Sequence, residues 1–473
     1  MRIQTGFWKM GVLILLCAAL TACWGGNSNN GVNGSTVPTG STPAASEGQT
    51  VVTMSILTRD RFLIEAEQKF EEMFPDIDIQ INEIVPADTS SGDKAVMIRG
   101  TDNGPKPEEV EKYVSSVNTA LMSGNASDII SVENLPVDKY AGKGLLADWS
   151  EVAGEDSSFN KSDYYENIFD GVSKGGGWYG IPTSFSLDVL LGDASLLQQH
   201  DLDDRTWTWE QFVDLLAGMK TEGKYGIAML TPEMLLKYVA ESVYGQLVKQ
   251  DGNSILFDAE AFQGYMENIK KLYDGGLATS EMMGPGNSNF SLMNMDSPMS
   301  ALLIPQMESK LQTMLRPPGI GQDEGIPFKS SQVLGLNANS KVKDAAWSFV
   351  KFLLSEEMQT SMAMMNFPVN QAALNDKLAD TKQILEGGGS KRGGKSAKIM
   401  LRGKDGEEIH PTVSDEDIKK VSDLMPSVGK YTNQDSKVLS MITEESAAYF
   451  SGNKSAEAVA QSAANRINTY LNE

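Results

Sequence analysis

Sulfur and imidazole are almost absent from this chain. Cys17, Cys23, His200 and His410 are the only residues of their kinds among 473. Both cysteines fall in the first apolar run. If that run is a removed signal, Cys17 leaves with it and Cys23 becomes the first residue of the mature chain. The mature protein then has no disulfide, no reactive free thiol and no cysteine metal site. The two histidines are far apart in sequence, so an imidazole zinc cluster or a Ser-His relay has little material, and no metal or cofactor is expected. Basic residues are also in deficit. Forty Lys and Arg face 63 Asp and Glu, a formal charge of −23, which loss of Arg2 and Lys9 with the signal makes −25. So acidic a surface argues against nucleic acid as a partner, and against binding anionic lipid by charge. Long apolar runs are missing too. Residues 11–20 form one, shorter than the roughly 20 residues a membrane-spanning helix needs.

What that first run does carry is an export pattern. Arg2 and Lys9 supply a positive start, residues 11–20 the apolar segment, and Thr21 and Ala22 the small residues before a cleavage site. Leu20-Thr21-Ala22-Cys23 resembles the lipobox of bacterial lipoproteins. That likeness implies a signal over 1–22, a diacylglycerol on the sulfur of Cys23, and a membrane contact through the lipid anchor alone. Residues 24–49 are rich in Gly, Asn, Ser, Thr and Pro with Glu47 the single charge. Such a stretch buries no core and reads, with Cys23 and Thr50, as a flexible tether.

From about residue 51 the composition becomes that of a globular protein, too long for one core, so two domains are expected. Residues 52–56 alternate as a strand, residues 61–74 place Phe62, Ala66, Phe70 and Met73 or Phe74 at helical spacing, and Pro75 stops the helix. Ile77, Ile79 and Ile81 then alternate as a second strand. Strand, helix and strand within about 30 residues make a βαβ unit, hence a parallel sheet. A polar helix over 108–122 and a strand over 128–132 repeat the pattern. Ligands of such sheets bind beyond the carboxyl ends of strands, so the loops after Leu57 and Ser131 are the first candidates for a site. Further on, Thr208 and Gln211 read as a capping box, with Trp207 and Phe212 as its hydrophobic staple, which makes the Trp pair structural rather than a sugar platform. Residues 345–354 and the last helix, N-capped by Ser455 with Val459, Ala463, Ile467 and Leu471 on one stripe, are further buried-face helices.

Seven stretches resemble a known family. They are AEQKFEEMFPDIDIQI, GNASDIISVENLPVDKYAGKGLLADW, GWYGIPTSFSLDVLL, TWTWEQF, AAWSFVKFLLSEEMQ, FPVNQAAL and the terminal INTYLNE. They run in order from residue 51 and are similar to the extracellular solute-binding proteins of ABC importers, the group that includes maltose-binding protein. The resemblance implies an α/β fold of two lobes, each a mainly parallel sheet flanked by helices, with a ligand cleft between them. It assigns 51–182 plus about 315–355 to the first lobe and 183–314 plus about 356–473 to the second. It further implies a monomeric, non-enzymatic receptor on the outer face of the cell membrane, passing a small-molecule solute, a sugar, to ABC permease subunits. Matched position by position, the ligand contacts fall on Arg59, Glu133, Asn134, Trp178, Ser184, Phe185, Thr231, Glu233, Gln306 and Tyr431. Stacking aromatics of the maltose pattern fall on Val132 and Gln306, so a flat maltodextrin platform is not supported. Trp178, Phe185 and Tyr431 remain for stacking on a sugar face.

Two other signals compete. Residues 389–396, GSKRGGKS, fit G-x-x-x-x-G-K-[ST], but the pattern cradles phosphate only between a strand and a helix. Here a helical pattern precedes it and Gly403 follows closely, so a flexible basic loop is expected. The 24 methionines, dense over 282–314 and 358–365, read as core filling. A surface glycoside hydrolase with paired carboxylates stays open as an alternative, as does a binding protein for a non-sugar solute. A nucleotide enzyme through the 389–396 loop is the third class.

Overall fold

Thr50–Ile56 pairs in parallel with Ile77–Glu83, Val52 opposite Ile79 and Met54 opposite Ile81, and the helix Arg61–Met73 crosses between them. The protein is described by a computed structural model over residues 48–85, 106–173, 176–220, 224–251, 254–282, 287–308, 312–320, 324–386, 401–402, 408–409 and 411–472. The signal, Cys23, residues 24–47 of the tether and the 389–396 motif lie outside the described residues, while Thr50, counted with the tether, already begins the first strand. No helix among them is long and apolar enough to cross a membrane.

Local chemistry accounts for the first unit. The Asp60 carboxylate accepts from the Leu63 N–H at 2.7 Å, which caps the helix, and Phe62, Leu63, Ala66 and Phe70 face the core. The stripe ends there: Met73 and Phe74 are exposed, because the chain turns at Pro75. The second crossover helix is Pro107–Ser123, closed by Gly124 at φ +74°, and it leads to the strand Ile129–Ser131.

This first sheet runs in the order Ile77–Glu83, Thr50–Ile56, Ile129–Ser131, Val333–Asn337, Leu146–Ala147, with Ile181–Pro182 also on Val333–Asn337. The three N-terminal strands are parallel, but Val333–Asn337 enters antiparallel to every neighbour. The second sheet centres on Ser184–Asp193, with Ile326–Lys329 and Val428–Tyr431 on one side and Ser288–Met295 and Tyr225–Ile227 on the other. Ser184–Asp193 is antiparallel to all its partners. The α/β class is therefore as expected while the sheets are mixed, not mainly parallel. The reason is connectivity: strands that cross from one sheet to the other re-enter against the existing direction.

Three crossovers join the sheets. Ile181–Pro182 continues through Thr183 into Ser184–Asp193, Ile326–Lys329 continues through 330–332 into Val333–Asn337, and the chain after helix Lys343–Leu353 returns to Phe367–Pro368. Since Ile326–Lys329 pairs in the second sheet, the second crossover lies at 330–332 and not near 315. Buried side chains tie the three together. Thr183 donates its N–H to the Gln332 carbonyl at 3.1 Å and its hydroxyl to Gln332 Oε1 at 3.0 Å. Gln359 Nε2 donates to the carbonyls of Thr183 and Leu353, both at 2.9 Å, and its Oε1 accepts from the Val369 N–H at 2.9 Å. The buried Gln359 amide, paired at both its nitrogen and its oxygen, holds a geometry that partial pairing would lose.

The second lobe contains the capping box. Thr208 Oγ1 accepts from the Gln211 N–H at 3.2 Å while Gln211 Oε1 accepts from the Thr208 N–H at 2.8 Å. The rings of Trp207 and Phe212 meet edge to face at 5.3 Å, and both tryptophans are buried. Methionine behaves unevenly: Met295, Met358 and Met364 fill the core, whereas Met282, Met362 and Met365 are exposed.

Candidate functional site

The carboxyl ends of Thr50–Ile56 and Ile129–Ser131 open onto a cleft. Loop residues Thr58, Arg59, Glu133 and Asn134 form one wall, and Lys237, Glu241 and Lys329 form the other. The crossover 330–332 is the floor, and residues 431–436 bound the end. The cavity, open to solvent on one side, holds about 960 Å³. A second cavity of about 1190 Å³ adjoins it and shares Val110, Asn134, Tyr431, Asn433, Gln434 and Ser436 with the first. Two contacts span this second compartment from lobe to lobe: Lys437 with Glu111 at 2.6 Å, and Asn433 Nδ2 with the Leu135 carbonyl at 3.3 Å.

Glu133 is the central group of the first wall. Its Oε2 accepts from the Ser131 hydroxyl at 2.6 Å and from the Val333 N–H at 3.3 Å. The Tyr113 hydroxyl behind it, 2.7 Å from the Ser131 carbonyl and 3.0 Å from that of Ser55, fixes the strand end that carries it. No ion pair reaches Glu133 among the described residues. Burial pushes its pKa up to about 7, against the opposing pull of the Ser131 hydroxyl and the backbone N–H groups. Tyr431, whose ring rests on Phe328 at 5.3 Å, makes no hydrogen bond through its hydroxyl among the described residues. Burial raises its pKa well above the usual phenol value, and the nearby Glu133 charge adds to that rise.

The opposite wall is built around a cation. Lys329 Nζ lies 3.0 Å from Asp188 Oδ2 and 3.0 Å from Glu241 Oε2. Asn294 Nδ2 donates to the other Asp188 oxygen at 2.8 Å, and Gln434 Nε2 donates to the Glu241 carbonyl at 3.0 Å. Burial would lower the Lys329 pKa, but the two carboxylates outweigh it and hold the ammonium charged. An ammonium has three protons, and two carboxylates use two of them. Arg59 is partly committed: its guanidinium pairs with Glu67 and its backbone N–H donates to Glu83 Oε2 at 3.2 Å, while the buried Nε finds no acceptor. Among the described residues no three His, Cys, Asp or Glu side chains are grouped to hold a metal ion.

Four of the sequence-derived contacts, Arg59, Glu133, Asn134 and Tyr431, thus meet in the cleft. The others do not line it. Phe185 is 1% exposed, stacked on Phe367 at 5.5 Å with edges toward Phe328 and Tyr165. Ser184 is buried opposite Pro368. Trp178 is packed between Phe159 and Phe169, with Lys161 Nζ 4.8 Å over its ring and its own N–H on Asp170 at 3.3 Å. Gln306 folds back onto the Leu302 carbonyl at 3.1 Å on the helix Pro298–Glu308. Thr231 caps the helix Pro232–Ser242 and Glu233 occupies its first turn; Lys237 and Glu241, one and two turns on along the same face, are the residues that reach the cavity. Sequence reasoning missed Lys329, Glu241 and Asp188. One signal was available: Asp188 interrupts the apolar run of SFSLDVLL, and a charge on a buried strand needs a counter-charge.

Known proteins resemble this chain in sequence and in fold. The sequence profile described as bacterial extracellular solute-binding protein matches residues 58–360. The diacetylchitobiose binding protein DasA of Streptomyces coelicolor is 24% identical over 298 residues, 57% of this chain and 67% of that one. Among solved structures, an extracellular solute-binding protein family 1 member from Alicyclobacillus acidocaldarius superposes with a TM-score of 0.53 at 17% identity, covering 91% of this chain and 100% of its own. The sugar-binding protein MalE from Xanthomonas citri gives 0.52 at 14% identity, with 89% and 97% covered. With its two mixed α/β lobes, its three crossovers and a profile match over most of its folded length, the chain belongs to the bacterial extracellular solute-binding protein family.

Proposed function

We propose that this chain is a lipid-anchored extracellular receptor that binds a carbohydrate, an oligosaccharide, and delivers it to the permease subunits of an ABC importer. The observation that carries the reading is the pair of adjoining cavities lined by side chains with spare hydrogen-bonding capacity. Asn134, Lys237, Ser331, Ser436 and the Tyr431 hydroxyl have no side-chain partner among the described residues, and the floor is polar crossover chain. Solute pockets are commonly 300–1,000 Å³, so two compartments suit a ligand of more than one ring. DasA, which binds diacetylchitobiose by its name, supports a sugar as the class of solute. Arg59, Glu133, Asn134 and Tyr431, with Lys237, Lys329 and Glu241, are the contacts we assign. Cys23 would carry the lipid, and the 24–49 segment would give the receptor its reach.

Thermal-shift screening of residues 50–473 against an oligosaccharide library tests the reading, followed by calorimetry on each hit. Stoichiometric binding with the sugar recovered intact is the expected result. One observation favours a hydrolase instead: a cleft carboxyl with a pKa near 7 suits a general acid. The carboxylate on the opposite wall, Glu241, is tied to Lys329, which favours a structural carboxylate over a nucleophile. Release of shortened sugar would reverse that preference.

A further inference from the structure

Asp188 is a buried charge in the interior of a strand. It lies on Ser184–Asp193 opposite Asn294 of one neighbouring strand, and it is not among the residues that line either cavity. Lys329, opposite Ser186 on the other neighbouring strand, does line the first cavity. The Asp188 carboxylate has a partner on each side. Its Oδ2 meets the Lys329 ammonium at 3.0 Å, and its Oδ1 accepts from Asn294 Nδ2 at 2.8 Å. The same amide reaches the Ser186 hydroxyl at 3.1 Å. Glu241 Oε2 meets the ammonium at 3.0 Å from the helix Pro232–Ser242. Side-chain exposure is 10% for Asp188 and 12% for Glu241 but 36% for Lys329, so the carboxylates lie beneath and the lysine opens to the cavity.

A lysine by itself holds no fixed direction, because its ammonium turns on a flexible four-carbon stem with three rotatable donors. Two acceptors at 3.0 Å fix the nitrogen and, through its tetrahedral bonds, the line of the third N–H. No third acceptor for that proton lies among the described residues. A single carboxylate would leave the ammonium free to swing about one contact; the second removes that freedom before any solute arrives.

We propose that Asp188 is a positioning residue: from beneath the cleft, together with Glu241, it aims the Lys329 ammonium so that its third proton is donated to an oxygen of the bound sugar. The inference rests on the carbohydrate reading and adds a residue to it that acts only through another. Removing the Asp188 charge frees the lysine stem and also takes away one of the two carboxylates that keep the ammonium protonated against the effect of burial. The other titratable groups around Lys329 are Lys237, Tyr238 and Glu241 from the helix, Tyr431 from the strand Val428–Tyr431, and Glu133 across the cavity. A comparison in which only Asp188 changes removes their contribution.

The test is calorimetry on residues 50–473 at pH 7 and pH 10 with maltotriose, cellotriose and N,N′-diacetylchitobiose, in wild type, Asp188→Asn and Lys329→Met. For the tightest of the three sugars, Asp188→Asn should bind more weakly than wild type at pH 7, and the ratio of the two affinities should widen about tenfold by pH 10 as the variant's ammonium loses its proton, the worth of one charge-assisted hydrogen bond. Lys329→Met should bind weakly with a ratio to wild type that does not change with pH. An Asp188→Asn ratio that is the same at both pH values marks a merely structural carboxylate and overturns the proposal. Nitrogen-15 NMR of the lysine ammonium groups needs neither a sugar nor a folded Asp188 variant, since Lys329 is assigned by its absence from Lys329→Met. In wild type Lys329 should be the last lysine to titrate, and titration in step with the surface lysines overturns the proposal. Late titration with binding of none of the three sugars counts instead against the carbohydrate reading, and the role of Asp188 falls with it.

Discussion

Glu133→Gln separates the residue's cost to the fold from its use in the site. The variant keeps the side-chain shape, and its amide oxygen still accepts from the Ser131 hydroxyl and the Val333 N–H. What it removes is a carboxyl whose pKa is about 7 in the folded protein, against 4.5 for an unburied glutamate. Because the folded value lies above the unfolded one, the folded protein holds this proton between pH 4.5 and 7 while the unfolded chain has released it. Wild-type stability therefore declines as pH rises across that window, and above pH 7 the penalty is complete. At 1.36 kcal/mol per unit it comes to about 3 kcal/mol. For a folded region of this length, unfolding entropy is roughly 0.9 kcal/mol per degree, so the variant should melt about 3 °C higher at pH 8. At pH 4 both proteins carry a neutral group there, and the melting points should nearly coincide. Scanning calorimetry at pH 4, 6 and 8 reads the trend. A variant less stable than wild type at pH 8, or a difference that does not change with pH, would refute the account of Glu133 as a penalised carboxyl.

Three other outcomes follow from the same structure. Lys329→Met should cost about 3 kcal/mol in denaturant melts, because it leaves Asp188 and Glu241 together without a cation; the partly open site keeps the loss at the low end of the buried-pair range. Adding Asp188→Asn should recover part of it. Phe185→Ala should lose about 3–5 kcal/mol of stability through the cavity left beside Phe367, with ligand affinity unchanged at temperatures where the variant is folded. Cys23→Ala should shift the protein from the membrane fraction to the medium, or leave it uncleaved, when fractions are blotted; an unmodified Cys23 by mass spectrometry in wild type would contradict the lipid anchor.

The N-terminal βαβ unit was legible because its signals are local: alternation over 77–81, a helical stripe over 62–70, and a proline stop. The Thr208 box was legible for the same reason, since four residues complete it. The loops after Leu57 and Ser131 could be named because strand ends place ligands in such sheets, and Arg59, Glu133 and Asn134 lie there. Phe185 and Trp178 could not be sorted in this way. Every residue of Ser184–Gly192 is buried, so alternation no longer tells a core face from a cleft face. The mixed pairing was hidden as well: Val333–Asn337 meets Ile129–Ser131 across some 200 residues, and nothing in either strand encodes direction. Lys329 and Glu241 needed the fold itself, which joins the end of one crossover strand to a helix 88 residues earlier.

The most direct test of the cleft is a crystal structure of residues 50–473 with the tightest-binding oligosaccharide of the screen. Sugar density is expected between the lobes, with a donor within hydrogen-bonding distance of the Glu133 carboxylate and the Tyr431 hydroxyl on a ligand oxygen. A sugar bound outside the cleft, with Glu133 and Tyr431 untouched, would contradict it.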